Sequence, residues 1–191
     1  MCCRYSFHSD VGDERVRKIV SMMDRDYPGE YKIGEIFPGD SVVAVIGEAG
    51  KLRHVPAVFG FPGFDNEKKL LINARMETAS AKPTFAESMK ERRVILPADG
   101  FYEWSHDTKK TKYLFTLEGL RTIYLCGLYK KIEDKYRFVI LTRAANESMI
   151  ETHDRMPVII DASQVRQYLT DYNAAKNIIT IANPALCREE A

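Results

Sequence analysis

Residues 94–141 read VILPADGFYEWSHDTKKTKYLFTLEGLRTIYLCGLYKKIEDKYRFVIL, and this stretch decides the fold. Five segments rich in β-branched and aromatic residues follow one another in it: Val94–Leu96, Gly100–Trp104, Tyr113–Leu117, Thr122–Tyr129 and Tyr136–Leu141. Turn formers punctuate them, which is the pattern of successive strands. The connections are too brief to hold crossover helices. That favours an α+β protein with a mainly antiparallel, barrel-like β-sheet and a few peripheral helices over an alternating parallel fold.

The flanking sequence fits the same plan. Val16, Ile19, Val20 and Met23 recur at helical spacing, predicting an amphipathic helix over about Asp13 to Asp26 that stops at Tyr27-Pro28-Gly29. Ser41–Ile46 and Leu52–Phe59 read as a hairpin turning at 47–50, and residues 60–64 as a loop of glycine, proline and aromatics. Leu70–Ile72 is a short strand ending at Asn73. Helices are expected over 83–91 and Ser163–Leu169, a helical turn over Asn146–Ile150, and a strand over Met156–Ile160. No repeat or linker divides the chain, so residues 1–191 are expected to form one domain.

Composition narrows the function classes. Hydrophobic residues make up 45% and charged residues 29%, ordinary values for a globular protein. With 28 Lys+Arg against 27 Asp+Glu the net charge is +1, so a nucleic-acid site has to be a local patch. No apolar run approaches the roughly 20 residues of a membrane helix, and no apolar leader stands at the start. The expected location is cytoplasmic, nucleoid-associated when on DNA. The cysteines at 2, 3, 126 and 187 form no Cys-x-x-Cys pair, so no metal is expected.

Cys2 becomes the first residue once Met1 is removed. It then carries an α-amine, with a pKa near about 8, and a thiol on adjacent carbons. An uncharged amine attacks an aldehyde to give an imine, and the thiol can close on it as a five-membered thiazolidine. Three downstream segments offer partners. Asn73, Arg75 and Glu77 follow an apolar strand. Glu103 lies between aromatics in a strand where Tyr102 and Trp104 share the opposite face. His153, Asp154 and Arg155 precede the strand over Met156–Ile160. Read alone, each also fits a plain structural role: an incidental second residue, a solvated strand end, an exposed glutamate, a surface histidine.

Their order is more specific. Met1-Cys2, INAR with ET, ADGFYEW, LTRAAN and HDRMPV, from residue 2 to about 160, together resemble the SRAP family (SOS response-associated peptidase). The resemblance implies a compact β-rich fold, covalent capture of abasic sites in single-stranded DNA, and peptidase-like removal of the initiator residue. It assigns catalysis to Cys2, Asn73, Glu103 and His153. It assigns DNA contacts to Arg4, Arg75 and Arg155, to Thr142 within LTRAAN, and to the rings of Phe59, Phe61 and Phe64. Cys3 departs from the family's usual glycine, and the aromatic loop carries Phe where Trp is common. No cofactor or metal is implied, and a monomer is expected. The rival readings are a peptidase or amidohydrolase with an N-terminal cysteine nucleophile and a non-covalent single-strand DNA-binding module.

Overall fold

The computed structural model of the chain describes residues 3–8, 13–63, 69–106 and 108–191. In order, its first elements are β1 (Arg4–Phe7), α1 (Glu14–Asp26), β2 (Gly34–Ile36), β3 (Ser41–Glu48) and β4 (Lys51–Phe59). Next come β5 (Phe61–Pro62), β6 (Leu70–Leu71), β7 (Asn73–Arg75), α2 (Met76–Ala79) and α3 (Ala86–Glu91). The stretch that decides the fold supplies β8 (Arg93–Ala98), β9 (Gly100–Trp104), β10 (Lys112–Thr116), β11 (Ile123–Ile132) and β12 (Lys135–Ala144). The chain continues through β13 (Arg155–Pro157), β14 (Ile159–Ile160), α4 (Val165–Thr170), α5 (Tyr172–Ile178) and β15 (Cys187–Glu190).

The fold is α+β, as the strand succession implies. Strands β12, β4, β3, β8 and β11 pair in that order, and β11 pairs back onto β12, closing a barrel. Strands β7 and β13 extend from β12, and β14 from β11. A second sheet runs β15-β10-β9-β1-β2 and is antiparallel throughout. Among the described residues, parallel pairs enter only where β12 meets β4 and β7.

The barrel strands β3, β8, β11 and β12 are buried on both faces along their central residues, which explains their apolar runs, while β4 alternates. Val94, Leu96, Phe138 and Ile140 join one core cluster with Tyr5, Phe101 and the α1 residues Val16 and Met23. Their neighbours Ile95, Val139 and Leu141 point the other way, into a second cluster beneath Met89, Tyr168 and Ile178 of the helices. Closure demands a glycine at 127, where a Cβ would stand 2.6 Å from the Val139 carbonyl oxygen. Arg93 ties two helix ends to the barrel: its guanidinium donates to the carbonyls of Met89 (3.0 Å) in α3 and Tyr168 (2.5 Å) in α4, where a cation is favoured.

Helix α1 starts where Asp13 accepts from the Val16 N–H (3.0 Å) and stops at Tyr27, ahead of Gly29 with φ +74°. Several expectations needed adjustment. The strand over Leu70–Ile72 does not end at Asn73, because Asn73 opens β7 and pairs with Ile140. The strand over Met156–Ile160 divides at Val158, whose N–H donates to Leu141 and whose carbonyl accepts from Cys126. The helix over 83–91 is confined to α3. Strand β2, helix α5 and the exposed edge strand β15 were not foreseen.

Candidate functional site

Strand β1 places the start of the chain against β9. Arg4 stands opposite Tyr102 and Tyr5 opposite Phe101, while Asp99 fastens the far end. The Asp99 carboxylate accepts from the His8 backbone N–H (2.8 Å) and from the Ser6 hydroxyl (3.2 Å), and His8 Nδ1 lies 2.8 Å away. Gly100 lets β9 approach β10, since a Cβ there would meet the Phe115 carbonyl at 2.6 Å. Alternation then sorts the side chains. Phe101 and Glu103 face inward; Tyr102 and Trp104 face outward with Arg4 and Lys112, their cross-strand neighbours.

Glu103 is 3% exposed. Burial pushes its carboxyl above the usual range, so it can hold a proton under conditions where an exposed glutamate could not. The Cys3 thiol is pushed up too, first by burial and then by the Glu103 carboxylate. Cys2, the expected nucleophile, lies outside the described residues. It is one peptide from Cys3, a Cα step of about 3.8 Å.

His153 sits in the loop before β13 with its side chain 13% exposed. Its Nδ1 meets both the backbone N–H of Arg155 (2.9 Å) and Asp154 Oδ1 (2.9 Å). Burial holds the imidazole pKa below the usual value, with Asp154 opposing. The neutral ring therefore prevails. When Nδ1 accepts from Arg155, the neutral ring carries its proton on Nε2. The His106 ring lies 4.9 Å from that of His153, and its charge acts on both Glu103 and His153. His106 thus links the inward face of β9 to the β13 loop.

The β12 strand carries the remaining groups. Thr142 pairs with Arg75 of β7 on one side and Pro157 of β13 on the other. Asn73 is buried at the start of β7, and Arg75 is exposed beyond it. Arg155 makes a bidentate pair with Glu77 (2.7 and 2.8 Å), which draws the Glu77 carboxyl below the usual range. The site thus joins an acid held neutral more readily than usual, a neutral imidazole and several arginines. Among the described residues no cluster of His, Cys, Asp and Glu could hold a metal, and no helix is long and apolar enough to cross a membrane.

The family model for the SOS response associated peptidase (SRAP) matches residues 1–189. The chain belongs to this family. It is 31% identical to the abasic site processing protein YoaM of Bacillus subtilis (strain 168), across 94% of this chain and 83% of that one. Against the abasic site processing protein YedK of Escherichia coli (strain K12) the identity is 26%, across 95% and 85%. The crystal structure of a Bordetella bronchiseptica protein superposes with a TM-score of 0.76 over 100% of this chain and 99% of that one. At 19% identity that likeness speaks for the fold.

Within this SRAP chain, some residues expected at DNA are placed elsewhere. Phe59 is fully buried, stacked on Phe138 with centroids 5.0 Å apart, and Phe61 is buried against Phe85. The Phe59 ring is wholly covered by protein and presents no surface for a base, while Lys130 Nζ stands 5.4 Å from the centroid of the Phe61 ring. Phe64 lies outside the described residues. Thr142 is fully buried as well; its carbonyl accepts from Arg155 (2.7 Å), so it positions that arginine instead of facing solvent.

Half-buried aromatic rings with cations over them lie on the outer side of the second sheet. The Arg4 guanidinium sits 4.4 Å from the Phe37 ring centroid and 4.9 Å from that of Trp104. Lys112 Nζ is 4.0 Å from Tyr102, and Lys32 Nζ is 4.8 Å from Phe37. Glu35 lies among them, accepting from Arg4 (3.3 Å) and from Lys112 (3.0 Å). Sequence reasoning put Tyr102 and Trp104 on one face and missed Phe37, Lys112 and His106. The alternation around Trp104 was a usable sign; the pairing of Lys112 with it was not visible before the register of β9 and β10.

Proposed function

We propose that this protein captures abasic sites in single-stranded DNA by covalent bonding through Cys2 after removal of Met1. The observation that carries the reading is the buried Glu103, with its raised pKa, acting on the Cys3 thiol and linked through His106 to a neutral His153. Family membership and relatives named as abasic site processing proteins support it.

The open sugar of an abasic site presents an aldehyde at C1′. The Cys2 amine adds to it, giving a carbinolamine. Loss of water leaves an imine, and Cys2 Sγ then adds to the imine carbon while the imine nitrogen takes up a proton. One water leaves in total, and no oxidant or metal is required. His153 Nε2 supplies and recovers the proton for ring opening and dehydration. Glu103 holds the amine and exchanges its proton. Asn73 fixes the terminal residue by hydrogen bonds. Cys3 does not compete: its thiol is held protonated, and it lacks the adjacent free amine needed for a thiazolidine.

DNA lies along the outer face of the second sheet. Bases stack on Trp104 and Phe37, and Arg4 and the exposed Arg75 meet flanking phosphates while Arg155 stays paired with Glu77, so binding weakens with salt. The imine also acidifies the C2′ protons, which opens a strand-nicking elimination that thiazolidine closure suppresses. A single chain contains every group in this scheme, in keeping with a monomer acting at DNA.

The test is incubation with abasic single-stranded DNA followed by a denaturing gel. The parent protein gives a persistent shifted band. Cys2→Ala loses it, and Cys2→Ser gives a weaker, reversible band with more strand nicking. Equal persistent bands from Cys2→Ala would refute the assignment. Equal non-covalent binding to intact and abasic strands, with no shifted band, would favour a simple binding module.

A further inference from the structure

A second site is built on the outer surface of the barrel, apart from Cys3, Glu103 and His153. Helices α1 and α4 flank a cleft of about 310 Å³. Its floor is largely aliphatic, Val45 of β3, Leu52 of β4 and Ile95 of β8, with Ile19, Met22 and Val165 as walls and the rings of His54 and Tyr124 also lining it. Cations line both banks, Arg15 and Lys18 from α1 and Arg166 from α4. Among the described residues Lys18 and Arg166 enter no ion pair, while Arg15 shares its charge with Tyr124 and Asp161.

An apolar floor between cations sets the chemistry of an occupant. It needs a bulky apolar group to cover the floor and negative charges on either side to meet the rims. A nucleic-acid strand brings the charges, but its bases seek flat exposed aromatic faces, and most of this floor is aliphatic, with the Tyr124 ring itself buried. A membrane surface is charged and broad, and the apolar part of this cleft lies at the bottom of a depression. The volume suits one or two large side chains.

We propose that this cleft docks an acidic peptide segment of a partner protein, with an apolar side chain seated on Val45, Leu52 and Ile95 and carboxylates meeting Arg15, Lys18 and Arg166. The segment binds in competition with nothing at the abasic-site centre, so the two sites can be occupied together. A partner held this way would bring the protein to its substrate without using the DNA face.

The probe is a short fluorescein-labelled peptide of Asp and Glu around a central Leu-Phe pair, followed by fluorescence anisotropy with the full chain. Binding should saturate and weaken as salt rises. The exposed double substitution Arg15→Glu with Arg166→Glu should weaken it roughly tenfold or more. Replacing the Leu-Phe pair by serines should cost a similar factor. Amide NMR shifts should concentrate in α1 and α4, and cross-linking to abasic DNA should be the same in the double variant as in the parent. The proposal fails if charge reversal leaves peptide binding unchanged, or if the serine peptide binds as well as the original. It also fails if undamaged single-stranded DNA displaces the peptide, or if laurate fills the cleft while the peptide does not bind.

Discussion

Two aromatic segments of this chain, Phe59 to Phe61 and Phe101 to Trp104, have much the same composition and opposite roles. In the first, both rings are buried: Phe59 is stacked on Phe138, and Phe61 lies tilted against Phe85 with Lys130 over its ring. In the second, alternate residues divide the work. Phe101 stacks on Phe115 inside, and Trp104 meets the Arg4 guanidinium outside. Aromatic content therefore says little about nucleic-acid contact. What matters is whether a ring's other face is covered by protein or left to cations and water.

The largest expected effect separates the inner face of β9 from the core it resembles. Glu103→Gln should slow adduct formation by about 10²–10⁴-fold, the usual contribution of a positioned acid-base group. Its stability effect has the opposite sign from a core deletion. The folded pKa of Glu103 lies above its unfolded value, so its favourable contribution is complete at low pH and is lost as pH rises through the raised value. Glu103→Gln should therefore raise Tm at neutral pH, with the gain vanishing below about pH 4.

Next comes Phe59→Ala, expected to cost about 3–5 kcal/mol of stability because its ring is fully buried. Thermal unfolding would register this as a fall of roughly 2–4 °C per kcal/mol. Adduct formation per folded molecule should stay as in the parent; a selective loss would mean that Phe59 reaches DNA after all. Trp104→Ala should give the mirror image, weakening DNA affinity by about 1–3 kcal/mol with little change in Tm. The smallest effect belongs to Glu35→Gln. Removing the carboxylate that Arg4 and Lys112 share should tighten DNA binding by about threefold at low salt and not at high salt.

The sequence made the strand succession from Val94 to Leu141 legible because each strand is rich in β-branched or aromatic residues and each break carries turn formers. Helix α1 was readable for the same kind of reason, an apolar stripe with a stop at Tyr27-Pro28-Gly29. Short elements were not. Strand β15 is exposed at all four residues and carries no burial pattern, and α5 is only seven residues long. At the site, Glu103 and His153 stood out by residue type and by the resemblance. His106 did not, because its meaning arises only when the β9 end meets the loop before β13. The buried state of Phe59, Phe61 and Thr142 was equally hidden, since strand pairing decides which face of each residue is covered.

The account stands most directly on the intact mass of the purified protein before and after mixing with an abasic single-stranded oligonucleotide. It predicts a starting mass lacking one methionine residue and a product heavier by the oligonucleotide less one water, formed by the parent and absent with Cys2→Ala. A protein that keeps Met1 and still gains the same mass, or a Cys2→Ala variant that forms the same product, would contradict it.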